Sequence, residues 1–286
     1  MVQTTHRSPK WLMDHARNLY SQFGEDGIIE KALEVIGIND QWCVEFGAWD
    51  GKHLSNSYHL IADKSYAAVL IEADPIKFEE LKANFSSNSK IICINEFVGF
   101  EPPNHLDAIL ARTPIPQDFD LLSIDIDGND FHVWQAMGHY RPKLIIIEFN
   151  PTIPTSVDFV QPKDPQLTQG CSLKALVRLA KSKGYELIAT TTVNGFFVDK
   201  KYFSKFDMQS NEPEALRADE SAIAYVFSGY DGRVFLAGNT RMPWHNIPIL
   251  ANRIQQLPNC LQTFPDNYKW WQRLFFSVWK FFRSKN

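Results

Sequence analysis

"LLSIDIDGND", Leu121 to Asp130, decides the fold. A short apolar run ends in three aspartates, Asp125, Asp127 and Asp130. A strand apolar on both faces belongs inside a parallel sheet covered on both sides. Acids gathered at its carboxyl end belong at the rim where such sheets take their ligands.

The pattern recurs on either side. "WCVEFG" (42–47), "YAAVLIEADP" (66–75), "KIICINEFV" (90–98) and "KLIIIEFNP" (143–151) are apolar runs that close on acids or amides. Helical periodicity fills the gaps. "SQFGEDGIIEKALEVIG" (21–37) has Ser21 as its expected N-cap, Glu25 and Asp26 in the first turn and Gly37 as its stop. "PIKFEELKANF" begins with Pro75 at a first helical position and repeats apolar residues at Phe78, Leu81 and Phe85. "SNSYHLIADK", "HLDAILAR", "DFHVWQAMGHY" and "SLKALVRLAKSKG" supply the other helices, and "YELIATTTVNGFFVD" reads as two strands around a turn. The expected fold is α/β: a Rossmann-like, doubly wound, mostly parallel sheet with an antiparallel edge strand and a C-terminal extension.

Four segments follow: an N-terminal helical segment (1–40), a ligand-binding sheet domain (41–199), an extension with a hairpin at "AIAYVFSGYDGRVFLAG" (200–265), and an amphipathic helix (266–286). Residues 151–170, with Pro151, Pro154, Pro162 and Pro165, read as a loop over the same rim, either a plain surface loop or a lid.

Composition narrows the class. The chain has 286 residues, 44% hydrophobic and 22% charged, enough for one large domain with an appendage. A net charge of −4 argues against a dedicated nucleic-acid binder. Cys43, Cys93, Cys171 and Cys260 match no zinc spacing; Cys43 and Cys93 read as buried reduced thiols of a cytoplasmic protein. The first twenty residues lack the apolar core of a signal peptide, and no window reaches the length of a spanning helix. The last twenty residues hold eight aromatics, five basic residues and no acid. On a helix, Trp270, Trp271, Leu274, Phe275, Val278, Phe281 and Phe282 share one face, with Arg273 and Lys280 opposite. That face suits either a membrane surface or docking on this domain or a twin subunit.

"VEFGAWDG" places Glu45 at a strand end with Gly47 and Gly51 in the turn, which lets a ligand approach the backbone. Glu72 closes the next strand, twenty-seven residues later, where an acid binds a ribose diol in NAD and adenosyl sites and repels a 2′-phosphate. Together "VEFGAWDG", "VLIEADPIKFEELKAN", "FDLLSIDIDGND" and "KLIIIEFN" resemble, in order, the strand-end motifs of the FkbM-type S-adenosylmethionine-dependent methyltransferases. "SQFGED" is similar to that family's opening. Ser123 and Asp127 stand where the family carries lysine and glutamate. The resemblance covers about residues 21–198. It implies a class I methyltransferase-like fold and S-adenosyl-L-methionine as cofactor. It puts Glu45, Gly47, Ala48 and Gly51 beside the methionine part, Glu72 on the ribose, Ala73, Asp74 and Asn95 near the adenine, and Asp125 near the sulfonium. It also implies a sugar or glycan hydroxyl as acceptor.

A hydroxyl acceptor must lose its proton to a base or to a metal-bound oxygen. Asp127, Asp130, Glu148 and Asn150 are the candidate magnesium ligands. Without a metal, Asp127, His53 and His132 are the candidate bases, and Asp130 has a second reading as a helix cap. Two other classes stay open. One is a nucleotide-sugar glycosyltransferase using Asp125-Ile126-Asp127 as a DxD motif. The other is a non-catalytic, membrane-associated binding domain. A homo-oligomer is compatible with either.

Overall fold

The computed structural model describes residues 6–37 and 40–283; the outermost parts of the expected N- and C-terminal segments, 1–5 and 284–286, lie outside them. The chain divides into two compact units, one ending at Glu220 and one beginning at Ser221.

The first unit is a seven-stranded sheet in the order β3-β2-β1-β4-β5-β7-β6. Its elements are α1 (Glu25–Ile36), β1 (Trp42–Phe46), α2 (Tyr58–Lys64), β2 (Ala67–Glu72), α3 (Pro75–Phe85), β3 (Ile91–Asn95), α4 (Leu106–Leu110), β4 (Leu121–Ile124), α5 (Asp130–Ala136), β5 (Leu144–Glu148), α6 (Leu173–Lys183), β6 (Tyr185–Thr190) and β7 (Asn194–Asp199). β1 to β5 run parallel, and β7 inserts antiparallel between β5 and β6. This is a doubly wound, Rossmann-like, mostly parallel architecture. Strand order reverses between β1 and β4, which makes that crevice the topological switch point.

Each face of the sheet has its own core. Val44, Phe46, Ile124, Ile145 and Ile147 pack with Trp134 and α6. Cys43, Leu121, Ile146 and Phe196 pack with Ile28, Ala32 and Leu33 of α1. Strand side chains alternate between the two.

The start of α1 differs from expectation. Its N-cap is Gly24 in the left-handed region (φ 98°), not Ser21. Ser21 instead donates through Oγ to Asp26, whose Oδ2 also accepts the amides of Leu19, Tyr20 and Ser21. One carboxylate oxygen thus gathers a whole turn, and the helix starts only after it. Cys93 is half-buried, not buried, and no cysteine is paired.

The first unit also runs past residue 199. α7 (Lys200–Phe203) and α8 (Pro213–Leu216) flank a segment whose Phe206 and Leu216 are fully buried. Arg217 donates to the carbonyl of Pro151 at 2.8 Å. These contacts make residues 200–220 part of the sheet domain.

The second unit holds an antiparallel hairpin, β8 (Ala224–Ser228) with β9 (Val234–Gly238), then a two-residue ladder of β10 (Arg241–Met242) with β11 (Ile247–Pro248), and α9 (Trp270–Arg283). Among the described residues no helix is long and apolar enough to cross a membrane.

At the amino end of the sheet, the fully buried Lys143 donates to Asp120 and, at 3.0 Å, to Asp40. Lys143→Met should cost about 3–5 kcal/mol in a urea titration, because it strands a charged Asp120 in the interior. Adding Asp120→Asn should recover part of that loss.

Candidate functional site

The turn after β1 is shaped by contact, not by sequence habit. Gly47 has φ 73°, and a Cβ there would stand 1.8 Å from the carbonyl oxygen of Asp125. The β1 and β4 chains therefore touch at the switch point, and only glycine fits. Ala48 is buried and donates its amide to Ile71. Gly51 serves packing: a Cβ there would meet the Phe85 ring at 2.4 Å and Leu81 at 2.6 Å.

Glu72, at the end of β2, is half-buried and accepts the amides of Trp49 (2.8 Å) and Asp74 (2.7 Å). Its carboxylate thus joins the first two rim loops. Ala73, Asp74 and Asn95 lie exposed beside it, with Asn95 donating to the Glu72 and Ala73 carbonyls. Asp74 caps α3 through Ile76 and Lys77.

Register builds the other half of the rim. Glu45 pairs with Ser123, Ser123 with Ile146, and Ile146 with Phe196. Two residues further on, the same row reads Gly47, Asp125, Glu148 and Asn194, on the face covered by α1. Asp125, Asp127 and Glu148 each bring a carboxylate oxygen within 4.8 Å of the others. Burial, then the neighbouring Asp130 and Asp127 charges, holds the Asp125 carboxyl well above the usual range. Burial, then Asp125, does the same to Glu148. Asp127 reaches the group from a left-handed backbone (φ 55°) and is exposed.

Several expected site residues are committed elsewhere. Glu45 does not open toward a ligand. Its oxygens accept the Ser55 and Ser57 hydroxyls (2.5 and 2.6 Å) and the Asn56 amide (2.9 Å). Asp130 is buried, and its two oxygens accept the Ile126 and Gly128 amides at 2.9 Å, closing the β4–α5 loop. The N-cap of α5 is Asn129, so the carboxyl of Asp130 serves the loop and not the cap position. Burial raises its pKa to about 6. Asn150 accepts from Thr152 and donates to the Gln169 carbonyl, joining the end of β5 to the 151–170 segment. His132 is buried and bonds the Gln161 carbonyl through Nε2 at 2.9 Å, a tie between α5 and the 151–170 segment. His53 is exposed, its ring against Trp49.

Two residues complete the rim unannounced. Glu25, at the start of α1, accepts from Thr191 (2.8 Å) and from Asn194 Nδ2 (3.3 Å), and Asn194 Oδ1 is buried without a partner. "SQFGED" and "VNGF" were the available signals, but neither reveals that the two meet.

The 151–170 segment lies against this rim. Asn129 donates to the Asp164 carbonyl, and Gln161 Oε1 accepts the amides of Gln169 and Gly170. A Cβ on Gly128 would stand 2.7 Å from the Leu167 carbonyl.

No family model and no curated protein matches the chain. Among solved structures it is similar to a candidate sarcosine dimethylglycine methyltransferase from Galdieria sulphuraria (14% identity, 57% of this chain and 62% of that one, TM-score 0.39). It is also similar to the N-terminal domain of EvdMO1 with SAH and D-fucose (10%, 61% and 82%, 0.41). A third is a SAM-dependent methyltransferase from Aquifex aeolicus (10%, 59% and 87%, 0.35). At these values the likenesses carry no functional assignment.

The raised carboxyls have a measurable sign. Unfolded, Asp125 and Glu148 lose their protons near pH 4; folded, they keep them to higher pH. Stability is therefore full at low pH and lost as the pH climbs toward the folded values. In differential scanning calorimetry, Asp125→Asn should gain over wild type as the pH rises from about 5 to about 9. Gly47→Ala should destabilise by about 2 kcal/mol or more, because it is strained at φ 73° and blocked by the Asp125 carbonyl.

Proposed function

We propose that the first unit is an S-adenosylmethionine-dependent methyltransferase whose cofactor lies across the carboxyl ends of β1, β2 and β4. The observation that carries this is Glu72, fixed by two backbone amides beside a glycine turn at the switch point. Those bonds leave carboxylate lone pairs for a ribose diol. Ala73, Asp74 and Asn95 offer an exposed shelf for the adenine. The residues also suit the cofactor's charge, since the crowded Asp125, Asp127 and Glu148 favour a cation. When bound, the cofactor supplies an electrophilic methyl group.

The chain's own part is alignment and proton removal. Gly47, lacking a Cβ, lets the β1 turn close on the Asp125 carbonyl and so fixes the crevice floor. Asp127, exposed on a strained turn, takes the proton of an acceptor hydroxyl. The strand-end motifs shared with FkbM-type enzymes support a sugar or glycan hydroxyl as that acceptor. Glu45, Asp130 and His132 act as positioning residues that hold the loops around it.

A divalent cation such as magnesium is a second reading for the acid group. Asp125, Asp127 and Glu148 fit it as oxygen ligands, in place of the expected Asp130 and Asn150. Bound there, the ion would lower the pKa of a hydroxyl or water.

Isothermal titration with S-adenosylhomocysteine should show binding, and Glu72→Gln should weaken it about tenfold or more, with a small fall in Tm because one of the two loop amides loses its acceptor. No heat from the wild type sinks the methyltransferase reading; a thermal shift with a UDP-sugar plus manganese would then favour the glycosyltransferase. Titration with magnesium should give heat that Asp125→Asn abolishes, and silence there removes the ion alone.

A further inference from the structure

Helix α9 has one face fixed by contacts and an opposite arc whose large apolar side chains are substantially exposed. Gln272 accepts the Lys269 amide and donates to the Cys260 carbonyl at 2.7 Å. The Phe276 ring meets Tyr268 at 5.7 Å and stacks on Trp279. Tyr268, itself buried, donates to the Leu261 carbonyl. These contacts set the rotation of the helix. The opposite arc, about 140° wide at 100° per residue, carries Trp270, Trp271, Leu274, Phe275, Phe281 and Phe282, each between 41% and 78% exposed.

We propose that this face docks on an anionic lipid surface, with α9 lying flat in the headgroup region. Charge selects that occupant. Lys269, Arg273, Lys280 and Arg283 fill the arc behind the apolar one, and no acid lies in α9, in a chain whose net charge is −4. A second copy of this helix would offer an apolar face but no negative charge to meet those cations. An indole-bearing apolar arc backed by cations on the polar side matches the interface between acyl chains and headgroups. The helix has 14 residues, about 21 Å, which suits lying in the interface and not crossing it.

The test is co-sedimentation of the full chain with vesicles. Phosphatidylcholine containing about 30% phosphatidylglycerol should pellet about tenfold more protein than phosphatidylcholine alone. Salt at roughly 0.5 M should erase the difference. Leu274→Glu with Phe281→Glu should abolish pelleting while Tm and far-UV circular dichroism stay unchanged, and Lys280→Glu should reduce it several-fold. Equal pelleting with both vesicles, or pelleting indifferent to the double substitution, overturns the proposal. So does a dimer in solution that the double substitution dissolves while the wild type ignores vesicles; the face then belongs to a second copy.

Discussion

Strand register is the constraint on which the rest of the molecule depends. Once Ser123 lies beside Glu45 and Ile146 beside Ser123, Asp125 and Glu148 must end on one face at one rim. Two carboxyls on adjacent strands repel when ionised, and each is further raised by burial. The protein tolerates this by dividing its acids into two kinds. Glu45, Asp130 and Glu25 are saturated by amides, hydroxyls or a side-chain amide, and they shape loops. Asp125, Asp127 and Glu148 stay together without such a web, so the rim keeps a concentrated demand for positive charge.

The sequence showed where the acids would collect but not which kind each would be. Alternation of apolar runs and helical periods located the strands, because burial on both faces leaves a plain imprint. A hydrogen-bond web leaves none. Glu45 looked like a ligand-facing acid because it precedes a glycine turn; its partners, Ser55 to Ser57, lie in a segment that reads simply as a helix start. Asp130 offered capping or coordination, and the loop took both of its oxygens for a third use. His132 looked like a base for want of any sign that Gln161, twenty-nine residues away, would meet it. Asn194 was unreadable, since its place in the row follows from an antiparallel strand slipped between two parallel ones.

The domain limit was misjudged for a related reason. After residue 199 the strand–helix alternation stops, which reads as the end of the sheet domain. Phe206 and Leu216 nevertheless fill gaps in the two cores, and Arg217 clamps the carbonyl that opens the 151–170 segment. Isolated apolar anchors in irregular chain have no period to detect, so packing alone defines the boundary at Glu220.

The close approach of the Leu167 carbonyl to Gly128 packs the rim loop directly against its cover. With His132 on Gln161 and Asn129 on Asp164, the segment's later half is stitched to the loop that carries Asp127. Its earlier half, around Val157 and Phe159, leaves those side chains in solvent. Diversification of such a fold would therefore be uneven. A change at the exposed Val157 side chain leaves the acids undisturbed, whereas a change between 161 and 170 alters the geometry of the rim itself.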